Sequence, residues 1–399
     1  MKISFKTFLT YTILILLSVA FLTVGNSICS SNSLEEDYEQ HATATVTGII
    51  SDIQVPSSLG GEGLSAREIT FVAEITSGDF DGKEVSVRQY IDELYSYQQK
   101  PVEAGDKIIL VTYEQGENAD VWQFAEYNRL PWLITLVLLF FGIIIIIGKI
   151  KGVGTVLSLV FTAAAVLCIY IPGILKGYNV YLLTVIVSVF VVVMSLVMLN
   201  GISKKTLCAC IGNVGGIGAA ALLSLLFNHL MHISGIIDES YIYLTYMDVP
   251  LDLTAIVWGG TVIGAVGAVM DVSIEIASSI NELNINMSER SFSRMFKSGM
   301  NIGKDAIGTM TNTLILAYVG CSLATLLLEA TYSKDLLYLI NTERIAVELM
   351  QSIIGSIGIL LAVPLTALVS SYVYNKGKIK RQKAEDTPMT DEEFWNERL

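Results

Sequence analysis

Eight apolar runs constrain this chain more than anything else in it. They cover residues 7–25, 131–148, 153–172, 179–199, 207–229, 253–277, 307–328 and 349–374. About 20 residues in a helix cross the hydrocarbon of a bilayer, so each run reads as a membrane-spanning helix. Only 16% of the 399 residues are charged, against about 25% in an ordinary soluble domain. The first run follows Lys2 and Lys6. No small-x-small cleavage site follows it, and Asn26-Ser-Ile-Cys29 is not a lipoprotein box, so residues 1–26 read as an uncleaved signal anchor.

The basic residues set the expected orientation. Lys149 and Lys151, then Lys204 and Lys205, then Arg290, Arg294, Lys297 and Lys304 fill alternate loops, and Lys376 to Lys383 follow the last run. The intervening loops hold Lys176 alone, then Asp238, Glu239, Asp248 and Asp252, then a mixed set around Lys334 and Arg344. Positive-inside bias therefore predicts cytoplasmic termini, with residues 27–130 outside. The expected organisation is an anchor at 1–26, an extracytoplasmic segment at 27–130, a seven-helix membrane domain at 131–375 and a cytoplasmic tail at 376–399.

The outer segment is acidic, with 6 Lys or Arg against 19 Asp or Glu between Ser27 and Leu130, which accounts for the whole net charge of −13. That excludes nucleic acid as its partner. The stretches "ATVTGII", "REITFVAEIT", "KEVSVRQYI" and "DKIILVTYE" alternate or run in β-branched residues, with turns at Gly78-Asp-Phe-Asp-Gly82 and Ala104-Gly-Asp106. Five or so short strands predict a small β-barrel-like domain, OB-like in kind.

The run "GGTVIGAVGAVMDVSIEIASSIN" carries Asp271 and Glu275 inside an apolar helix. Gly260, Gly264, Gly267, Asp271, Glu275, Ser278 and Glu282 recur every three or four residues, hence on one helical face. Small residues mark close helix approach, so this face is expected to look into the bundle, with Val262, Val266, Val269 and Ile276 on the opposite surface. A carboxylate at the bilayer centre costs about 2.5–3.5 kcal/mol on insertion scales and normally pairs or lines a polar cavity. The expected companions are Asp305, Thr309, Asn312 and Thr313 on the next helix, Lys304 as a neutralising cation, and Asn213 within "IGNVGGIGAA". The six site candidates are thus Asp271, Glu275, Asp305, Thr309, Asn312 and Asn213. Two readings stay open for them: a path for an ion or small polar solute, or hydrogen bonds that lock helix packing. An intramembrane aspartyl protease is set aside, because Ile302-Gly-Lys-Asp305 lacks a glycine directly before its aspartate.

Nothing else points to a catalyst, a metal or a cofactor. The five cysteines lie in or near apolar runs, and Cys208-Ala-Cys210 has neither zinc-site nor redox spacing. His229 and His232, followed by Asp238 and Glu239, are read as solvated interfacial residues rather than zinc ligands. No Walker loop, Rossmann glycine pattern or Gly-x-Ser-x-Gly elbow occurs. The expected function is therefore secondary transport or permeation, not an enzymatic activity. The alternative is a non-transporting scaffold or sensor whose outer domain binds a partner. The expected partners are the lipid bilayer, an ion or small polar solute, and a second copy or another membrane protein.

"GAVMDVSIEIASSINEL" and "GKDAIGTMTNTLILAYVG", together with "GVGTVLSLVFTAAAVLCIYIPGILKGYN", resemble the signature stretches of the YibE/F-like family of bacterial multi-pass membrane proteins. The resemblance spans nearly the whole membrane part. It implies a multi-pass protein of the bacterial plasma membrane and brings no catalytic residue with it.

Overall fold

A computed structural model describes residues 5–29, 39–57, 65–92, 100–113, 121–246, 249–286, 291–332 and 335–375. Asp248, Arg290, Lys334 and the tail at 376–399, which carried part of the expected charge pattern, lie outside the described residues. Contacts divide the chain into two units: Ser31–Val153, and Met1–Ser30 with Gly154–Leu399.

Among its described residues the first unit holds five antiparallel strands, β1 (Glu39–Pro56), β2 (Ser65–Ile75), β3 (Glu84–Asp92), β4 (Lys107–Tyr113) and β5 (Gln123–Tyr127), in the order β3-β2-β1-β4-β5. β1 is long enough to serve both neighbours, because register breaks between Val46 and Gly48 and between Ile49 and Ser51 bend it. Alternate residues point inward, so Val46, Ile69, Phe71, Ile75, Val87, Ile108 and Leu110 form a core almost closed to solvent.

The expected barrel is corrected here: the sheet is open, since β3 and β5 share no hydrogen-bonded ladder. The reason is local. β5 has five residues, committed to β4 on one side. Its Tyr127 hydroxyl donates to the Lys100 carbonyl at 2.6 Å. The buried Gln89 of β3 donates to the same carbonyl at 3.1 Å and accepts from the Val102 amide at 2.9 Å. Side chains and one intervening segment thus bridge a seam that a barrel would zip with backbone.

The same unit carries the start of α2 (Leu130–Ala165), in which Lys149 adopts φ 50° and ψ −125°. A Cβ at Gly152 would overlap the carbonyl of Ile144. Eight residues of straight helix would separate those positions by about 12 Å, so the chain doubles back at Lys149.

The second unit is helical. It contains α1 (Phe5–Cys29), the rest of α2, α3 (Ile171–Leu175), α4 (Val180–Asn200), α5 (Lys204–Leu230), α6 (Glu239–Thr245), α7 (Leu253–Asn286), α8 (Phe292–Cys321), α9 (Leu323–Tyr332), α10 (Leu336–Asn341) and α11 (Glu343–Asn375). α2 reaches α3 through a π-helical turn at Val166–Tyr170. Among the described residues, six helical runs are long and apolar enough to cross a membrane: Tyr11–Cys29, Leu130–Leu175, Val180–Asn200, Lys204–Leu230, Leu253–Asn286 and Glu343–Asn375. A seventh arises if α8 and Leu323–Thr331, bent by 60°, count as one. The run Leu130–Leu175 joins what the sequence separates into 131–148 and 153–172. α11 continues as one helix through Pro364.

α1 packs within this unit. Phe21 stacks on Phe190 of α4 with ring centroids 4.1 Å apart, and the Lys176 ammonium donates to the Ile28 carbonyl at 2.7 Å. At the centre, α5, α7 and α11 converge. A Cβ on Gly216 would press on Ala362 and the Gly358 carbonyl of α11 and on Val269 of α7 at once, at 2.8–2.9 Å. Glycine at that position lets the three backbones meet.

Candidate functional site

α7 has two sharply different faces. Val262, Val266, Val269 and Ile276 are buried, at 5% exposure or less. Gly260, Gly264, Gly267, Asp271 and Glu275 are exposed on the isolated chain. This reverses the expectation that the glycine and carboxylate stripe looks into the bundle. The physical reason lies on the neighbours: Gly212 and Gly216 of α5, with Gly358 of α11, supply the close approach. The valines of α7 then fill the space beside those glycines, and Gly260, Gly264 and Gly267 of α7 are left on the exposed face.

The exposed stripe borders a groove of about 400 Å³. Gly264, Gly267 and Met270 of α7 form part of its lining, and Val187, Ser188, Val191 and Ser195 of α4 another part. Residues 155–166 complete it with Thr155, Ser158 and Thr162. Ser158 donates to Ser195 at 2.8 Å, while the buried Ser188 hydroxyl has no partner among the described residues. Nothing lies within 4 Å of a Cβ built on Gly267, so the groove is open there. Asp271 follows directly on Met270 at one end.

α8 packs antiparallel to α7. A Cβ on Gly299 would meet Ile280, one on Gly303 would meet Ile276, and one on Gly264 would overlap the Tyr318 hydroxyl. Those pairings put Glu275 level with residues 304–307 and Asp271 level with 308–311. α8 buries Met295, Gly299, Gly303 and Ala306 and exposes Asp305, Thr309 and Asn312. Thr309 and Thr313 turn their hydroxyls back to the carbonyls of Ala306 and Thr309 at 3.0 and 2.8 Å. Among the described residues, Asp271, Glu275, Lys304 and Asp305 form no hydrogen bond or ion pair through their side chains. The expected neutralisation by Lys304 is therefore not made.

The six expected site residues thus divide. Asp271, Glu275, Asp305, Thr309 and Asn312 lie on exposed faces of the antiparallel pair α7 and α8. Asn213 does not join them: it is 0% exposed, on α5, at the buried side of α7. The groove hydroxyls were missed by the sequence reading. Their signal is present, since Thr155, Ser158 and Thr162 recur at spacings of three and four, and Ser188 and Ser195 at seven. His229 and His232 are exposed, and no three His, Cys, Asp or Glu side chains converge among the described residues.

The YibE/F-like protein family model matches residues 136–376, more than half of the chain. No curated protein and no solved structure matches it significantly.

Proposed function

The chain belongs to the YibE/F-like family, and on that footing we propose that it moves an ion or small polar solute across a membrane along the exposed face of α7. One observation carries the reading: two carboxylates within a helix long and apolar enough to span a bilayer have no cationic partner among the described residues and adjoin a groove containing five hydroxyl side chains. A charge facing lipid is costly, so this face belongs against water, a bound cation or a second polypeptide. A second copy of the chain, or another membrane protein, completes the wall that the isolated chain leaves open. Asp305, Thr309 and Asn312 of α8 extend the polar lining.

The proposal includes eight crossings: α1, the two arms of α2 divided at the Lys149 reversal, α4, α5, α7, bent α8–α9, and α11. With basic loops inside, residues 27–130 face outward and both termini are cytoplasmic, in a bacterial plasma membrane. A thiol probe should reach Asp81→Cys from outside intact cells and fail to reach Ser291→Cys; the opposite pattern sinks the orientation.

Transport itself is tested in proteoliposomes. Wild type should show uptake or release that responds to an imposed proton or sodium gradient, lost in Asp271→Asn and Glu275→Gln. Gradient responses identical to those of empty liposomes would end this reading. The scaffold or sensor alternative has one observation in its favour: a cavity of about 500 Å³ in the sheet unit, lined by Glu68, Arg88 and Tyr90 and by residues 121–125. Ligand capture at that cavity without any flux would favour it.

A further inference from the structure

The strongest unexplained chemistry lies inside the bundle. Asn213, Ser273 and Thr366 are each 0% exposed, and among the described residues neither Asn213 amide atom, nor the Ser273 or Thr366 hydroxyl, has a hydrogen-bond partner. Buried polar groups are ordinarily satisfied, and a site that leaves several open at once calls for a bound species.

Their placement follows from the contact at Gly216, where Val269 and Ala362 meet it. Asn213 is three residues before Gly216, Ser273 four after Val269, and Thr366 four after Ala362. Each is therefore one turn from the triple contact, on the face that makes it. α5 runs antiparallel to α11: Gly212 meets Thr366 and Gly216 meets Ala362. α11 runs parallel to α7: Gly355 meets Ala265 and Gly358 meets Val269. All three steps thus lead toward the same end of the bundle, and the three polar side chains share one level. Ser370, also 0% exposed, lies one turn further along α11.

We propose that Asn213, Ser273 and Thr366 form an occluded site for a dehydrated monovalent cation, sodium in the first instance, with Ser370 beside it. The donor set fits that class. It offers one amide oxygen and hydroxyl oxygens, the ligands that hard cations take. Hydroxyl hydrogens in such helices can turn back to the carbonyl one turn earlier, as Thr184, Thr261 and Ser356 do, which leaves lone pairs free to face a cation. No carboxylate of α7 lies on this face, since Asp271 and Glu275 are on the exposed one, so nothing here offsets a double charge. The site is separate from the α7 groove and does not depend on transport through it.

The full-length chain in detergent supplies the test. Thermal unfolding is followed in sodium, potassium and choline chloride at equal ionic strength, with equilibrium binding of radiolabelled sodium in parallel. Sodium alone should raise the melting temperature saturably, with one ion bound per chain, because a ligand that binds only the folded state stabilises it. Asn213→Ala and Thr366→Val should weaken sodium binding by about tenfold or more, a loss of about 1.4 kcal/mol each. Asn213→Asp should tighten it. Thr366→Val keeps the side-chain shape and carries the test if Asn213→Ala fails to fold. Equal stability in the three salts, with wild-type sodium binding no greater than that of Thr366→Val, would overturn the site and leave ordered water in its place. Either result leaves the groove reading standing, because no groove residue is a ligand.

Discussion

Ser273 and Asp271 are two residues apart on α7 and meet opposite environments. Ser273 is fully enclosed, one turn along α7 from Val269, which meets α5 and α11 at Gly216 and Gly358. Asp271 and Glu275 lie on the exposed face beside the groove. The neutral polar groups are inside and the charged ones are kept where water, a cation or another chain can reach them. The difference follows from cost. Enclosing a hydroxyl or amide in a helical bundle is tolerable, and a hydrogen bond there averages about 0.6 kcal/mol. An ionised carboxylate without a partner is far more expensive to enclose. On the reading proposed above, the inner set serves binding or packing and the outer set passage.

The sharpest way to break that division is to fill each face. Gly216→Leu should abolish folding, because its side chain would enter Ala362, Val269 and the Gly358 backbone together. Overpacking typically costs about 1–3 kcal/mol, and rigid backbone on one side puts this case at or above the upper end. Gly267→Leu, with open space around it, should give normal yield and melting temperature while blocking flux. Equal losses for the two variants would mean that the faces are not different in kind.

Truncation and charge removal give a smaller contrast. Ile276→Ala on the buried face should cost about 2–5 kcal/mol in detergent stability. Asp271→Leu should stay within about 0.5 kcal/mol of wild type, as surface substitutions do. A large drop for Asp271→Leu and Glu275→Leu alike would return both acids to a packing role.

How much of this was legible in the sequence depends on the element. Apolar runs of spanning length and the alternation of "EVSVRQYI" are local signals, and the helices and strands follow them. The inward face of α7 was not legible. In water, burial separates apolar from polar residues, but lipid is as apolar as a helix seam, so Val269 and Val272 suit either. Glycine is equally ambiguous, marking close packing at Gly216 and an open groove at Gly267. Barrel closure was out of reach for another reason, since it turned on Gln89 and Tyr127 reaching one carbonyl at Lys100.

The sheet unit supplies an acid of the opposite kind, and the smallest expected effect. Asp52 accepts from Arg67 at 2.8 and 2.6 Å, and that hydrogen-bonded guanidinium holds its carboxyl below the usual carboxylate range. A depressed folded-state value means a contribution that is present above the unfolded value and lost as pH falls through the folded one. Asp52→Asn should therefore lower the stability of the sheet unit slightly near neutral pH and make no difference in strong acid. Unfolding followed by Trp122 fluorescence across that range measures it, and a larger effect at low pH than at neutral pH would contradict the pairing.

The most direct test of the two-faced α7 is aqueous labelling in native membranes. In a chain with its native cysteines replaced, single cysteines at Gly267, Asp271 and Glu275 should react with a water-soluble thiol reagent. Those at Val269, Val272 and Ile276, all 0% exposed, should stay protected. Labelling of the valine face, with protection at positions 267, 271 and 275, would contradict the account.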